Sequence, residues 1–247
     1  MYLTWAEKTI SDFSDRNINS LYNEGFLFTR EHLGSMYQTR SLRIDLSKFE
    51  LSSENKRVLK KTEDVGFKTY EIPYENYDWK IGKLAKDFYE TKFGPNIFSA
   101  NKIKELLTTK HNFNKLFVFV SSSYQEGAGR VAEVDETPAN STGPASDHLL
   151  LERGGHVGYA ICFESNELLH YSYPFYELRT QNFELNNIGM GMMLRAILYA
   201  KEQGKKYIYL GSAKDAKAKY KLQFAGLEWF DGEKWSNDLE ELRNVLK

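Results

Sequence analysis

Apolar residues recur at helical spacing after Gly191, and this periodicity predicts an amphipathic helix. Gly204 follows that stretch beside lysines, which favours a helix end there because cations stabilise the negative end of the helix dipole. Residues 207–210 are rich in β-forming side chains and are closed by Gly211, so they predict a short strand. Residues 186–211 therefore predict a turn, a helix, a second turn and a strand.

The rest of the chain alternates between patterns typical of strands and of helices. Alternation over 67–73 predicts an edge strand ended by proline, and the continuous apolar run 115–122 predicts a central strand. Ser52 or Ser53 is a candidate N-cap for a helix over 54–61. Further predictions are helices within 5–13, 78–93 (with Trp79 facing inward), 100–109 and 239–247, and strands at 26–28, 37–44, 149–153, 157–164 and 168–173.

Residues 124–148 interrupt this pattern. They are rich in Gly, Pro, Ser, Thr and Asn and poor in apolar residues, which predicts a flexible insertion between strands. The fold class predicted from the whole pattern is α/β (α+β), with a mixed central sheet flanked by helices.

Composition excludes several kinds of protein. The 247 residues are 41% hydrophobic and 27% charged, with a formal net charge of −1, so any contact with nucleic acid requires a local basic patch. The single cysteine, Cys162, excludes a disulfide within the chain and predicts a buried small side chain. The histidines show no metal-binding spacing, so neither a metal nor a cofactor is predicted. Without a signal peptide or an apolar run of about 20 residues, we expect a cytoplasmic protein without membrane contact.

Two basic clusters are candidate phosphate contacts. Lys56, Arg57, Lys60 and Lys61 share one side of the helix predicted at 54–61, and a second run flanks Gly211. A solvated helix face is the alternative interpretation of the first cluster. The second run comprises Lys205, Lys206, Lys214, Lys217, Lys219 and Lys221.

The glycines before the long helix allow two interpretations. Gly189 and Gly191 could let the helix start close to the sheet. Alternatively, the free N–H groups of the first turn could hold an anionic or carbonyl group. Residues 186–191 loosely resemble the Q/R-x-x-G-x-G/A turn with which GNAT acyltransferases hold acyl-CoA, although Asn186 stands where that motif has Gln or Arg.

The segment after the helix resembles a more specific family. Tyr209-Leu210-Gly211, then Tyr220-Lys221 and Phe224, is similar to the C-terminal signature of the arginyl-tRNA–protein transferases and their bacterial leucyl-transferring relatives. Two other parts of the chain carry weaker matches: Tyr173-Pro174 before the Ile188-Gly189 turn, and Gly25-Phe26, Tyr37, Arg40, Arg43, Phe49, Leu51-Ser52 and Asn55-Lys56-Arg57 near the N-terminus.

This resemblance implies a GNAT-like fold that transfers an amino acid, arginine or leucine, from aminoacyl-tRNA to the N-terminal amine of an acceptor protein. Residues 1–46 would form the family's N-terminal subdomain and 47–247 the transferase domain. The chain departs from the family because residues 31–43 lack the family's cysteine cluster. Two alternatives stay open: a GNAT acyltransferase that uses acyl-CoA, and a non-catalytic relative that binds tRNA or protein N-termini.

Candidate site residues follow from the chemistry of peptide-bond formation, which needs positioning, an unprotonated amine and a stabilised oxyanion. The backbone at Asn187, Gly189 and Gly191 is the candidate oxyanion site, and we expect a side chain at Gly191 to block it. Glu177 is a candidate base, as are Glu164 and Asp215. Tyr209 and Tyr220 fit core positions equally well. Candidate substrate and tRNA contacts are Arg43, Arg57, Tyr173, Tyr209, Gly211, Lys217, Lys219, Tyr220 and Lys221.

Overall fold

A mixed sheet of eight strands forms the centre of the protein. In the computed structural model, which describes residues 3–121, 155–178 and 187–247, the strand order is β11-β10-β4-β9-β8-β7-β6-β5. Of these pairs, β8–β9 is parallel and the others are antiparallel. The strands are β4 (Ser41–Asp45), β5 (Val65–Glu71), β6 (Lys115–Ser121), β7 (Gly155–Glu164), β8 (Leu168–Tyr176), β9 (Tyr207–Ser212), β10 (Leu227–Phe230) and β11 (Trp235–Ser236).

A second sheet of three strands lies near the N-terminus. It contains β1 (Ala6–Thr9), β2 (Phe26–Phe28) and β3 (Ser35–Gln38) in the order β1-β3-β2. The helix predicted within 5–13 is wrong, because Ala6–Thr9 instead pairs antiparallel with β3. The proposed subdomain 1–46 contains this small sheet and also β4, which pairs with β9 and β10 in the large sheet.

Within the described residues, six α-helices and one 3-10 helix accompany the sheets. Ser52 caps its helix as predicted, in a capping box with Asn55. The prediction that Trp79 faces inward is wrong. Its side chain is 66% exposed, because it lies off the buried stripe of α3 formed by Ile81, Ala85 and Phe88. The helices are α1 (Asp15–Asn23), α2 (Ser53–Lys61), α3 (Trp79–Phe93), α4 (Ala100–Thr108), α5 (Ile188–Glu202) and α6 (Leu239–Val245), and the 3-10 helix is Ala216–Gln223.

The large sheet is buried on both faces. One core layer lies against α5, α2 and the 3-10 helix, and the other lies against α1, α3, α4 and the small sheet. The predicted mixed sheet flanked by helices is therefore confirmed. Cys162 is fully buried in the first layer, as predicted, and burial raises the pKa of its thiol.

Some predictions concern residues that the structure does not describe. The insertion at 124–148, the strand at 149–153 and Asn186 lie outside the described residues. Among the residues that are described, the helices are too short or too polar to cross a membrane, and no cluster of side chains suited to a metal ion occurs.

Candidate active site at the divergence of two parallel strands

β8 and β9 diverge soon after they begin. They pair at Leu168–Tyr207, Leu169–Ile208 and His170–Tyr209. Beyond this point, β8 continues beside β7, whereas Ser212 of β9 pairs with Ser41 of β4. The register between β7 and β8 shifts at the same place, which leaves Ser172 as an extra residue in β8. Such a bulge bends its strand, so the sheet opens between β8 and β9 from Tyr171 onward.

Helix α5 begins at the open end of this divergence. Its N-cap, Asn187, has a left-handed backbone with φ of 73° and makes no side-chain capping bond. Gly191 N–H donates to the Asn187 carbonyl at 2.8 Å. The N–H groups of residues 188–190 precede this first helical bond, so they form the positive end of the helix dipole.

Gly189 allows a tyrosine to approach the start of α5. A Cβ atom at Gly189 would lie 2.7 Å from the hydroxyl oxygen of Tyr176, the last residue of β8. The Tyr176 ring packs against Phe88 of α3, with ring centroids 4.7 Å apart. Burial raises the pKa of Tyr176. Gly189 therefore faces the open end of β8.

Gly191 faces a different neighbour. A Cβ atom at Gly191 would lie 2.6 Å from Oγ1 of Thr62, which caps the C-terminus of α2. Arg195, one turn further along α5, donates to the same Oγ1 at 2.9 Å. The sequence led us to expect that a side chain at Gly191 would block the oxyanion site. In the structure, this position instead packs α5 against α2.

We therefore expect Gly191→Ala to destabilise the fold by about 1–3 kcal/mol, the usual cost of overpacking a close contact. Thermal melting measures this cost. Gly66→Ala is the matched control, because a Cβ atom there meets nothing within 4 Å. Equal melting temperatures for the two variants would contradict the close contact between α2 and α5.

Tyr171 places a buried hydroxyl beside the divergence. It precedes the bulge directly, is 1% exposed and belongs to the core layer on the α5 side of the sheet. Its hydroxyl has no hydrogen-bond partner among the described residues. Burial, followed by smaller effects that include Tyr220 and Tyr176, raises the pKa of Tyr171 well above its usual value. A buried hydroxyl without a hydrogen-bond partner costs free energy.

Lys221 borders the divergence on the side of β9. Its Nζ atom donates to the Leu210 carbonyl at 2.6 Å and to the Ser212 carbonyl at 3.5 Å. Gly211, between them, has φ of +77°. Burial lowers the pKa of Lys221 to about 8. Two of the three N–H donors of Lys221 thus bind carbonyl groups at the end of β9. The sequence predicted a phosphate contact for Lys221 but not this structural role.

Part of each basic cluster lies on an element that contacts the start of α5. Gln223, at the end of the 3-10 helix, contacts the sulfur of Met190 at 3.9 Å, so that helix lies beside the first turn of α5. Lys217 and Lys219 are exposed on it. Lys60 and Lys61 are exposed at the end of α2, next to Thr62. These four lysines, here termed the flanking lysines, lie on two elements that contact adjacent residues, Met190 and Gly191, of the α5 N-terminal turn.

The other predicted binding residues divide between surface and core. Arg57 is exposed on α2 and pairs with Glu54 at 2.6 Å. Tyr220 is 49% exposed, on the 3-10 helix. Tyr209 is fully buried, so the structure favours the core interpretation for it. Tyr173 packs on Phe98 and Phe113, on the face of the sheet opposite α5.

Arg43 is enclosed within the fold. Its guanidinium lies 3.9 Å from the ring centroids of both Tyr207 and Trp235. Its Nε donates to Glu228 at 2.8 Å, and Nη1 donates to Asn23 at 3.1 Å. These contacts favour a structural role over the predicted contact with substrate.

The three candidate carboxylates lie far apart in the fold. Glu164 is the last residue of β7, at the end of that strand away from Tyr176, and it pairs with Lys115 at 3.0 Å and Lys205 at 3.2 Å. Asp215 caps the 3-10 helix. Glu177 directly follows Tyr176 at the end of β8, so it lies next to the residue that contacts Gly189 at the start of α5.

Sequence reasoning missed Tyr171 and Tyr176. Both lie in a run of apolar and aromatic residues, 168–176, whose composition predicts a strand and nothing more. Their placement depends on the bulge at Ser172, which reverses the alternation of side chains along β8. No pattern in the sequence marks that bulge.

Comparison with known proteins gives similarity of structure but not of sequence. No family model matches the chain, and no curated protein matches it. The structure of L-PGS from Bacillus licheniformis is similar with a TM-score of 0.44 and 12% identity, over 94% of this chain and 71% of that one. FemX gives 0.43 and 10%, over 82% and 61%. A GCN5-related glucosamine N-acetyltransferase region of a fungal multi-domain GH3 β-N-acetylglucosaminidase gives 0.41 and 11%, over 90% and 22%.

Proposed function

We propose that the protein transfers an aminoacyl group from aminoacyl-tRNA to a primary amine, with the reacting carbonyl held between β8 and β9. The observation that carries this proposal is the hydroxyl of Tyr171, which has no hydrogen-bond partner among the described residues and is buried at the divergence, on the side of the sheet where α5 packs. A hydroxyl and the N–H groups of a helix start are both suited to stabilise the negative charge that develops on a carbonyl oxygen.

The reaction needs little covalent help from the protein. The amine nitrogen attacks the ester carbonyl, the C–N bond forms, and the bond between the carbonyl carbon and the ribose oxygen breaks. The amine loses a proton and the ribose oxygen gains one. In this scheme Tyr171 and the N–H groups of residues 188–190 stabilise the oxyanion, and Glu177 accepts the proton of the amine. The main contribution of the fold is to hold donor and acceptor together.

The flanking lysines favour a nucleic-acid donor. They place positive charge on the two elements that contact the first turn of α5, although the whole chain has a formal net charge of −1. The sequence resemblance supports the same donor, and it extends the proposal to arginine or leucine as the transferred residue and a protein N-terminus as the acceptor. The acyl-CoA alternative is disfavoured by Asn186, which stands where the acyl-CoA turn has Gln or Arg.

The direct test is transfer of radiolabelled amino acids from a total aminoacyl-tRNA mixture to short peptides with free N-termini. We expect label to enter the peptide and to be lost when the peptide is N-acetylated. Acetyl-CoA in place of aminoacyl-tRNA tests the acyl-CoA alternative. Transfer from acetyl-CoA without transfer from aminoacyl-tRNA would overturn the proposal.

Reversing the charge of Lys217 and Lys219 should weaken tRNA binding and flatten its dependence on salt. Each phosphate contact contributes a slope of roughly 0.9 in a plot of log affinity against log salt, or about 0.7 for single strands. Loss of both lysines should therefore lower the slope by about 1.5. Binding of unacylated tRNA at several salt concentrations measures it.

The matched control for this prediction lies on the far side of the sheet. Lys80 and Lys86 are exposed on α3, which packs on the face opposite α5. Charge reversal at these two lysines changes the net charge by the same amount but should leave the slope unchanged. Equal effects of the two double variants would assign tRNA binding to net charge rather than to the flanking lysines.

A further inference from the structure

Arg40 is a partly buried cation beside the end of β9. Its backbone carbonyl accepts from the N–H of Ala213 at 2.8 Å, and its Nη1 atom donates to the carbonyl of Ala213 at 3.3 Å. Ala213 directly follows β9 and is fully buried in the core layer on the α5 side of the sheet. These two bonds hold Arg40 against the segment that leads from β9 into the 3-10 helix.

The guanidinium of Arg40 is incompletely paired in the part of the chain that the structure describes. Its Nε atom is buried and has no hydrogen-bond partner there. Burial lowers the pKa of Arg40, and no described carboxylate raises it. An arginine side chain stays protonated in proteins, and a buried charge is costly unless an opposite charge and hydrogen bonds compensate it. The position therefore favours a ligand that is anionic and accepts hydrogen bonds.

Other polar groups enclosed in the described fold differ from Arg40. Arg43 and Arg195 each donate to several protein partners. Asn55 and His111 also have buried nitrogen atoms without a partner among the described residues. Neither of these two side chains carries a charge at neutral pH, since an amide does not ionise and burial lowers the pKa of His111. Arg40 thus combines a full charge with a buried N–H donor that lacks a partner in this part of the chain.

Lys221 places a second cation next to Arg40. It donates to the Ser212 carbonyl, whereas Arg40 donates to the carbonyl of the next residue, Ala213. Burial lowers the pKa of Lys221 to about 8, and no carboxylate of the described chain raises it. Two cations therefore bind adjacent peptide units at the end of β9, the strand that borders the divergence.

The segment after β9 continues this positive charge to the protein surface. Residues 213–221 contain four lysines and one carboxylate. That carboxylate, Asp215, caps the 3-10 helix by accepting from the N–H of Lys217 at 2.9 Å. Because Arg40 is bound to the first residue of this segment, it is joined to the element that carries the flanking lysines Lys217 and Lys219.

We propose that Arg40 binds a phosphodiester group in the single-stranded 3′ end of the RNA donor. The inference rests on the proposed function, because it assigns a position to the last phosphates of that donor. The oxygen atoms of one phosphate accept from neighbouring N–H groups of a planar guanidinium, a geometry that a lysine ammonium does not offer. The phosphate supplies the acceptor for the buried Nε–H, Lys221 adds charge beside it, and the flanking lysines hold phosphates further from the reacting end.

Fluorescence anisotropy with the full chain and unacylated tRNA, either intact or without its terminal CCA nucleotides, tests the inference without the reaction. We expect intact tRNA to bind about tenfold more tightly than the shortened form, because hydrogen bonds between charged groups are strong. Arg40→Gln should weaken binding of intact tRNA about tenfold and lower its salt slope by about 0.7, the value for one single-stranded phosphate. Binding of the shortened tRNA should stay unchanged.

Arg30→Gln is the matched control. Arg30 also donates to a backbone carbonyl, that of Ile97 at 2.5 Å, but its guanidinium stacks on Phe98, on the face of the sheet opposite α5. This substitution removes the same charge and should leave both tRNA affinities at the parental level. Arg40→Lys is a second variant, which keeps the charge and loses the Nε donor. It should weaken binding of intact tRNA severalfold, and it decides the test if Arg40→Gln lowers the melting temperature.

Coenzyme A is the other source of phosphate groups for this position. Binding of coenzyme A that depends on Arg40, together with tRNA binding that does not, would overturn the inference. Equal affinity of the parent for the two tRNAs, or parental binding of intact tRNA by both Arg40 variants, would also overturn it, even if amino acids are transferred. Arg40-dependent binding of intact tRNA without transfer from aminoacyl-tRNA would retain the phosphate site and overturn the proposed reaction.

Discussion

Arg43→Ala is expected to lower the free energy of unfolding by about 3–5 kcal/mol, the usual result of breaking a buried ion pair from one side. For a chain of this size, such a change corresponds to a fall in melting temperature of roughly 6–20 °C. The side chain of Arg43 is 8% exposed and that of its partner Glu228 is 17% exposed. The variant leaves that carboxylate with Lys48, whose Nζ atom is 3.5 Å away.

The ring contacts add to this expected loss. The Arg43 guanidinium lies between Tyr207 of β9 and Trp235 of β11, and it joins them to Glu228 of β10. Arg43 therefore ties together four neighbouring strands of the sheet, including its own. Cation–π contacts strengthen when water is excluded, and a planar guanidinium stacks on rings in a way that an ammonium does not.

Arg43→Lys distinguishes the effect of the positive charge from that of the planar guanidinium. It keeps the positive charge but loses the stacking geometry, so we expect a melting temperature between those of the parent and Arg43→Ala. Transfer activity, normalised to folded protein, distinguishes the structural role from the substrate contact suggested by the sequence. A variant that melts like the parent but fails to bind tRNA would contradict the structural role and support a contact between Arg43 and the substrate.

Local patterns predicted much of the fold. The periodicity after Gly191 gave α5, the residues before Gly211 gave β9, and Ser52 gave the start of α2. Each of these depends on neighbours within a few residues, where propensity and capping act. The helix predicted within 5–13 was wrong because pairing with a strand nearly 30 residues later, β3, decides its structure.

The candidate site was predicted less completely, because its geometry depends on contacts between distant segments. Gly189 and Gly191 look equivalent in sequence, yet one faces Tyr176 and the other faces Thr62. Tyr209 and Tyr171 also look alike, but Arg43 donates a hydrogen bond to the hydroxyl of Tyr209, whereas that of Tyr171 is unpaired among the described residues. Burial and the bulge at Ser172 decide these differences, and neither is visible in a single sequence.

Tyr171→Phe should reduce the rate of aminoacyl transfer about a hundredfold, the usual effect of removing one oxyanion donor. It should also leave the melting temperature unchanged or raise it. The second expectation follows because the substitution removes a buried hydroxyl that has no hydrogen-bond partner in the described part of the chain, at almost constant volume. A more stable protein with a slower reaction is the signature of a polar group kept for function.

Tyr22→Phe is the matched control, because Tyr22 is equally buried but its hydroxyl is paired. That hydroxyl lies 3.0 Å from Nδ1 of His170, and burial lowers the pKa of His170 to about 3, so the imidazole is neutral. Removing the Tyr22 hydroxyl leaves a buried ring nitrogen without this partner and should cost about 1–3 kcal/mol. Transfer per folded molecule should stay at the parental level, since Tyr22 lies on the face of the sheet opposite α5.

Tyr171→Phe should therefore slow transfer without lowering the melting temperature, whereas Tyr22→Phe should lower the melting temperature without slowing transfer. Thermal melting and single-turnover transfer with saturating aminoacyl-tRNA provide both values from the same preparations. If Tyr171→Phe transfers at the parental rate, the hydroxyl does not stabilise the reacting carbonyl, and the N–H groups at the start of α5 become the sole candidate donors in the described site. If it loses activity together with stability, the hydroxyl supports the fold, and the central observation behind the proposed function is withdrawn.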